Sequence, residues 1–298
     1  MTKHLTVELF FEPVTGTASY LIYDAEQKVS ATIDVVLNYE PASARTSTES
    51  ADAIIARIKA LSLTNLYIME THAHADHLSA GHYMRNTIGG KTVIGENITK
   101  VQSVFQSVYN LKDDFTPDGS QFDVLLKEGE SLTIGRYTLK AMPTPGHTPA
   151  CMTYLIDNCA FMGDTLFQPD YGTARCDFPG GDATTLYQSI QKILALPDDT
   201  RLFTGHDYPP KGRDYAVEST PLEQRKNNIH VGKGVDEKSF VTMRETRDKT
   251  LDTPRLLLPS LQVNIRGGQL PNAEDNGQVY FKLPINFIDK NSKKPTSS

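Results

Sequence analysis

The alternation of apolar and polar positions is densest in the first 36 residues. VELFF, SYLIYD and SATIDVV are β-branched or aromatic runs, broken at Gly16 and at the turn Ala25-Glu26-Gln27, and they read as strands. A polar stretch rich in Ser and Thr follows, from Asn38 to Ser50. The period then changes: Ile54, Ile55, Ile58 and Leu61 in ADAIIARIKAL recur as on one face of a helix. LYIME has the look of a short buried strand and leads straight into the polar segment THAHADHLSAGH. Val101, Val104, Phe105 and Val108 predict a second amphipathic helix. FDVLL, SLTIG, YTLKAM, MTYLID and CAFMGD predict further short strands. Leu186, Ile190, Ile193 and Leu194 in TTLYQSIQKILAL predict a third helix, and LFTGHDY a strand entering a loop. No segment repeats at a period of about 20–50 residues, which excludes solenoids and propellers. The order of elements predicts a mixed α/β layer architecture.

The pattern changes near Ala216. Residues 216–250 are highly charged and read as helical, with Glu237 to Lys249 as a solvated face. PRLLLPSLQVNIRGGQLP is apolar with Pro and Gly punctuation, and the last ten residues, DKNSKKPTSS, are polar and expected to fray. We therefore expect one domain over residues 1–215 and an extension, 216–298, packed on it. The 298 residues suffice for a full core, and 39% hydrophobic with 22% charged residues excludes disordered or fibrous classes. Thirty basic against 36 acidic residues leave a net charge of −6, which disfavours a nucleic-acid partner. No run of about 18 apolar residues exists, so no membrane partner is expected. The opening residues lack the pattern of a secretory signal. Cys151, Cys159 and Cys176 are an odd count without CxxC spacing, which fits a reducing cytoplasm rather than a disulfide framework.

His72-Ala73-His74-Ala75-Asp76-His77 carries the strongest chemical signal, with three imidazoles and a carboxylate crowded where a predicted strand ends. Alternation in extended chain puts His72 and His74 on one side, as two ligands of one metal require. Three more ligand types end other predicted strands: His147 in TPGHT, Asp164 in MGDT and His206 in TGHD. Each has a small residue just before it, which lets the backbone approach a site closely. Together they make five His and two Asp, enough for one or two metal ions, and by themselves they favour two. His4, His82 and His230 lack such partners and are expected to be structural or superficial. Cys176 has no activating His in its own segment, and all three thiols are expected to be structural.

THAHADH, TPGHT, GDT and GHD, in this order and spacing, resemble the metallo-β-lactamase superfamily over about residues 5–215. The resemblance implies an αββα sandwich with the metal site at one edge of its two sheets. Gly172-Thr173-Ala174-Arg175-Cys176-Asp177-Phe178 and His206-Asp207-Tyr208 further resemble the persulfide dioxygenases of that superfamily. So do the stretches Ser43 to Thr48 and Leu257 to Arg266, which carry the likeness over nearly the whole chain. This narrower resemblance implies oxidation of glutathione persulfide by O2 to sulfite and glutathione at one Fe(II) per chain. By position the iron ligands are His72, His147 and Asp164, the two-His, one-carboxylate set of non-haem iron oxygenases. His74, Asp76, His77 and His206 then surround that site or hold a second metal. Arg175 is expected to take a glutathione carboxylate, with Arg266 as a further anion anchor and Tyr208 as a hydrogen-bond donor at the site.

The alternative is a dinuclear zinc hydrolase of glutathione thioesters, similar to glyoxalase II, with Asp164 bridging and a metal-activated water attacking the carbonyl. Zinc binds such ligands more tightly than ferrous iron, so the ligands alone do not choose the metal. A non-catalytic carrier would need neither open coordination positions nor an anion anchor. Homodimers are common among enzymes of this type, and the sequence leaves the oligomeric state open.

Overall fold

Two six-stranded sheets form the centre of the fold in the computed structural model of the chain, which describes residues 5–286 apart from residue 211. His4 and the terminal DKNSKKPTSS lie outside the described residues. The first sheet runs β1 (Thr6–Glu12), β2 (Thr17–Asp24), β3 (Val29–Ile33), β6 (Thr64–Met69), β8 (Lys91–Gly95), β9 (Val124–Leu126). Its first three strands pair antiparallel and the rest parallel. The second sheet runs β10 (Ser131–Ile134), β11 (Tyr137–Pro143), β12 (Met152–Ile156), β13 (Cys159–Phe161), β14 (Arg201–Phe203), β15 (Glu218–Ser219). It is antiparallel except between β13 and β14. A small third sheet joins β5 (Arg45–Ser47), β4 (Val36–Glu40) and β7 (Leu78–Ser79).

Strand β2 explains the layering. All eight of its residues are buried, because it has protein on both faces. Ala18, Tyr20 and Ile22 point into the core between the sheets, where they meet Leu139, Tyr154, Phe161 and Phe203 of the second sheet. Leu21 and Tyr23 point the other way, onto the apolar stripe of α1 (Glu49–Ala60), with Met84 of α2 (Gly81–Ile88) in the same cluster. On the far side, α4 (Ala183–Leu194) lays Leu186, Ile190 and Ile193 against Ala160 and Leu202 of the second sheet. Helix α3 (Ile98–Val108) packs near the edge by β8. The result is the αββα sandwich expected from the motifs, with α1, α3 and α4 where the periodicity puts them.

The charged region after Ala216 breaks into two helices, α5 (Pro221–Asn227) and α6 (Glu237–Asp248), separated by a turn-rich segment. Phe240 of α6 is fully buried in the cluster beneath α4. Helix α7 (Leu257–Asn264) lies between the other two layers: Leu257 and Leu261 pack on α3, and Val263 joins the cluster of α1. Six of its eight residues are buried, so it has no polar face and no helical periodicity to read. Helix α2 is also unread in the sequence, being short and burying only Gly81 and Met84.

Candidate active site

The ligand-type residues stand on loops at one edge of the sandwich. The segment 72–77 follows β6, His147 lies between β11 and β12, Asp164 follows β13 and His206 follows β14. Two glycines make this convergence sterically possible. Gly146 has φ +135° and a Cβ there would stand 2.3 Å from the Leu186 Cα, so no side chain fits. Gly163 has φ +51° and its Cβ would meet the Thr71 hydroxyl at 2.5 Å.

Seven side chains gather into two adjoining groups. His72, His147 and Asp164 form one; His74, Asp76, His77 and His206 form the other, the candidate ligand atoms within each lying within 4.8 Å of one another. In the first group His72 Nε2 is 3.9 Å and His147 Nε2 4.0 Å from Asp164 Oδ2. These separations are too long for hydrogen bonds, but donors about 2.1 Å from a common ion stand roughly 3–4 Å apart.

The hydrogen bonds fix which ring atoms are available. The Thr71 hydroxyl donates its single proton to Asp34 Oδ2 at 2.8 Å, so His72 Nδ1 donates to Thr71 Oγ1 at 3.0 Å. His147 Nδ1 donates to the carbonyl of Arg175 at 2.8 Å. Both imidazoles therefore turn an unprotonated Nε2 toward Asp164, the orientation that outer partners impose on metal-binding histidines. Burial and the neighbouring imidazoles of His74 and His147 hold His72 well below the ordinary histidine range, which keeps it neutral.

His74 is engaged differently. Its Nε2 lies 3.0 Å from Asp34 Oδ1 and 3.2 Å from Glu70 Oε2, and ionised carboxylates only accept, so this nitrogen carries a proton. Burial opposes a charge on His74, but Asp34 and Glu70 outweigh it and raise the ring well above its usual range. Only Nδ1 remains free for a metal. In the second group His206 Nε2 sits 2.9 Å from Asp76 Oδ2 and 3.6 Å from Asp164 Oδ1. Burial lowers His77 to about 4, whereas Asp164 and Asp76 overcome burial at His206 and hold it up at about 9.

The donor set fits a metal. His72 Nε2, His74 Nδ1, His77 Nε2 and Asp164 Oδ1 are buried without a hydrogen-bond partner among the described residues. Each orphaned polar atom costs about 1–3 kcal/mol unless something binds it, and a divalent ion would bind them together. The choice between iron and zinc is not written in these atoms.

A cavity of about 430 Å³ opens from Asp76, His147 and Asp164. Tyr208 lines it, with its ring stacked on His206 at a centroid distance of 5.6 Å and an interplanar angle of 3°. Arg175 also lines it, but its guanidinium is held in a fork by Asp177 at 2.5 and 2.6 Å and donates to the Asp252 carbonyl at 2.6 Å. Arg266 is placed elsewhere: its guanidinium lies 4.8 Å over the ring of Phe115, away from the residues that line the cavity. Its segment belongs to the turn after α7, where the side chain is half-buried against Phe115. His230, read as structural or superficial, is buried; its Nδ1 accepts from the Thr173 amide at 3.0 Å and its ring reaches the cavity wall. All three cysteines are buried and free of disulfides, with burial pushing Cys151 up to about 12 and Cys159 to about 11.

Three residues escaped the sequence reading. Asp34 lies inside the predicted strand SATIDVV and Glu70 ends LYIME, each a lone carboxylate, and only the fold brings them to His74. Asn264 is the third. Its amide donates to the carbonyls of His74 and His77, both at 2.8 Å, and its oxygen accepts from the Ser79 amide at 2.7 Å.

Comparison with known proteins agrees with this geometry. Residues 46–206 match the Metallo-beta-lactamase superfamily. A protein of Burkholderia pseudomallei described as a probable metallo-hydrolase is 52% identical over 95% of this chain and 100% of its own. The mitochondrial persulfide dioxygenase ETHE1 of Homo sapiens is 35% identical over 66% of each chain. The crystal structure of ETHE1 from Myxococcus xanthus superposes with a TM-score of 0.71 at 26% identity, covering 89% of this chain and 100% of that one. With two sheets between helices, a histidine-rich loop after β6 and paired ligand groups at the sheet edge, the chain belongs to the metallo-β-lactamase superfamily of metal-dependent enzymes.

Proposed function

We propose that this enzyme oxidises glutathione persulfide with O2, using one Fe(II) held by His72, His147 and Asp164. The reaction balances as persulfide, O2 and water giving glutathione, sulfite and two protons. The terminal sulfur loses four electrons and O2 gains them. The observation that carries the reading is the position of His74. A dinuclear hydrolase of this family draws three histidines to its first metal, and here the ligand atoms of His72, His147 and Asp164 group without His74, which lies with Asp76, His77 and His206. What remains is two histidines and one carboxylate, a set that leaves coordination positions open for small molecules. When bound there, Fe(II) supplies the redox chemistry that no side chain in the cavity offers. The chain's own contribution is orientation and exclusion of water. Thr71 and the Arg175 carbonyl fix the two imidazoles, and Phe167, Tyr171 and Tyr208 form an aromatic wall beside them. The relationship to the human persulfide dioxygenase supports the same reading.

The dinuclear zinc hydrolase is the second reading. It is favoured by the group of His74, Asp76, His77 and His206, which keeps four ligand types together beside the first, and by the description of the Burkholderia relative. One experiment separates the two. Fe(II)-loaded protein is given glutathione persulfide while O2 uptake and sulfite are followed in one vessel. Uptake matched by sulfite is expected. No uptake by a sample of verified iron content, together with cleavage of S-lactoylglutathione by the zinc form, overturns the dioxygenase.

A further inference from the structure

Four arginines line the cavity: Arg175, Arg244, Arg247 and Arg255. Two of them are committed. Arg175 is forked onto Asp177, and Arg244, buried, is bound to Asp248 Oδ1 at 2.6 Å and donates to the Thr173 carbonyl. Arg247, in the last turn of α6, and Arg255, just before α7, are exposed and have neither an ion pair nor a side-chain hydrogen bond among the described residues. A pair of unpartnered guanidinium groups at the mouth of a cavity that ends on a metal centre has a chemical meaning. A guanidinium fork matches a carboxylate in a bidentate way, and a free one has no internal bond to break before it does so.

We propose that Arg247 and Arg255 are the anion anchor of this enzyme and hold the carboxylates of a peptide thiol derivative whose sulfur points at His147 and Asp164. This rests on the reading of the substrate as a glutathione derivative. It reassigns the role that the sequence suggested for Arg175, whose charge is already neutralised by Asp177 and which shapes the cavity wall instead. The carboxylates that face the two arginines from the rest of the lining are Glu40, Asp76, Asp164 and Asp252. Asp76 and Asp164 belong to the metal groups at the floor, whereas Glu40 and Asp252 are exposed as the two arginines are, so the mouth offers two unpaired guanidinium forks beside two carboxylates. A substrate that is anionic at one end and offers sulfur at the other is oriented by those forks at the mouth and the metal groups at the floor. The anchor comes from residues beyond the matched stretch 46–206, so the extension, rather than the shared sandwich, selects the substrate's tail.

The test measures glutathione binding by calorimetry to metal-loaded full-length protein under anaerobic conditions, for the native chain and for Arg247→Gln, Arg255→Gln, the double variant and Arg175→Gln. Because both side chains are exposed and unpaired, the melting temperatures of their variants serve as a check that the fold is intact. Each of the two single substitutions is expected to weaken binding by about tenfold, the worth of one charged hydrogen-bonded contact. The double variant should lose most of the salt dependence of binding, and Arg247→Lys with Arg255→Lys should recover part of the affinity. The proposal is overturned if the double variant binds as the native chain does, if the native chain does not bind glutathione, or if Arg175→Gln alone accounts for the loss. Failure of the proposed reaction is read separately. Arginine-dependent glutathione binding without O2 uptake supports the anchor and removes the dioxygenase.

Discussion

Asp34 and Glu70 hold the Nε2 proton of His74 from within 3.2 Å and so leave Nδ1 as the nitrogen a metal would take. Asp34 is itself fixed by the Thr71 amide at 2.7 Å and hydroxyl at 2.8 Å, so the same carboxylate orients His72 through Thr71 and His74 directly. One acidic side chain thus orients two histidines whose ligand atoms fall in different groups. Because the groups differ, Asp164 and Asp76, alike in residue type, are expected to differ in consequence. Asp164→Ala removes the carboxylate of the first group and should abolish iron retention and activity together. Asp76→Ala leaves His72, His147 and Asp164 in place and should keep about one iron per chain, as read by metal analysis of the purified variants. Equal metal loss in both would mean that the two groups hold ions as a unit. These seven ligand types were legible in the sequence because imidazoles crowded at a strand end repel one another once protonated, and a metal removes that cost. Their division into two groups was not, because it depends on which ligand atoms come close when loops after different strands meet in the fold.

Between elements, the joint that holds the two sheets in register at their far end is Asp24, the last residue of β2. Its carboxylate accepts from the Arg136 amide and guanidinium at 2.9–3.1 Å, and from the amides of Glu26 and Gln27. Burial would raise this carboxyl, but the Arg136 guanidinium and the backbone amides outweigh it and hold it well below the usual carboxylate range. A group depressed in the folded state stabilises the fold above its unfolded pKa of about 3.9, and the contribution is lost as the pH falls through the folded value. Asp24→Asn should therefore cost about 1–3 kcal/mol at neutral pH. The gap between native and variant melting curves should shrink below about pH 4. A gap that stays constant down to acid pH would show that the charge contributes nothing. Legibility also varied by element. Helices α1, α3 and α4 each show one apolar stripe because one face meets a sheet and the other meets water. Helix α7 is wrapped by the protein and shows no stripe, so its sequence reads only as an apolar run broken by Pro259. The little strand β5 is exposed along its length and carries no apolar signal at all.

Across the whole molecule, the extension and the metal loop are one mechanical unit. Asn264 spans 185–190 residues of chain to bind Ser79, His74 and His77, satisfying three buried backbone groups. Asn264→Ala is expected to lower stability by about 3 kcal/mol, since three buried hydrogen bonds go at once. It should also weaken metal affinity by about 10–100-fold, the usual effect of removing an outer support of a metal site. Thermal melting and metal titration read the two effects independently, and unchanged metal affinity would show that the loop holds its shape without the extension. Taken by itself, the sequence determined the layer architecture and the identity of seven ligand-type residues, because apolar periodicity and clustered imidazoles are local signals. The tertiary structure alone decided how those ligands divide, which arginines are free at the cavity mouth and what the extension touches. Each of those depends on which charged or polar partner lies within hydrogen-bonding distance, and such partners here come from strands and helices far apart in the chain. Arg175 has Asp177 two residues along the chain and pairs with it, whereas Arg247 has no ion pair among the described residues, and only folding brings both to one cavity.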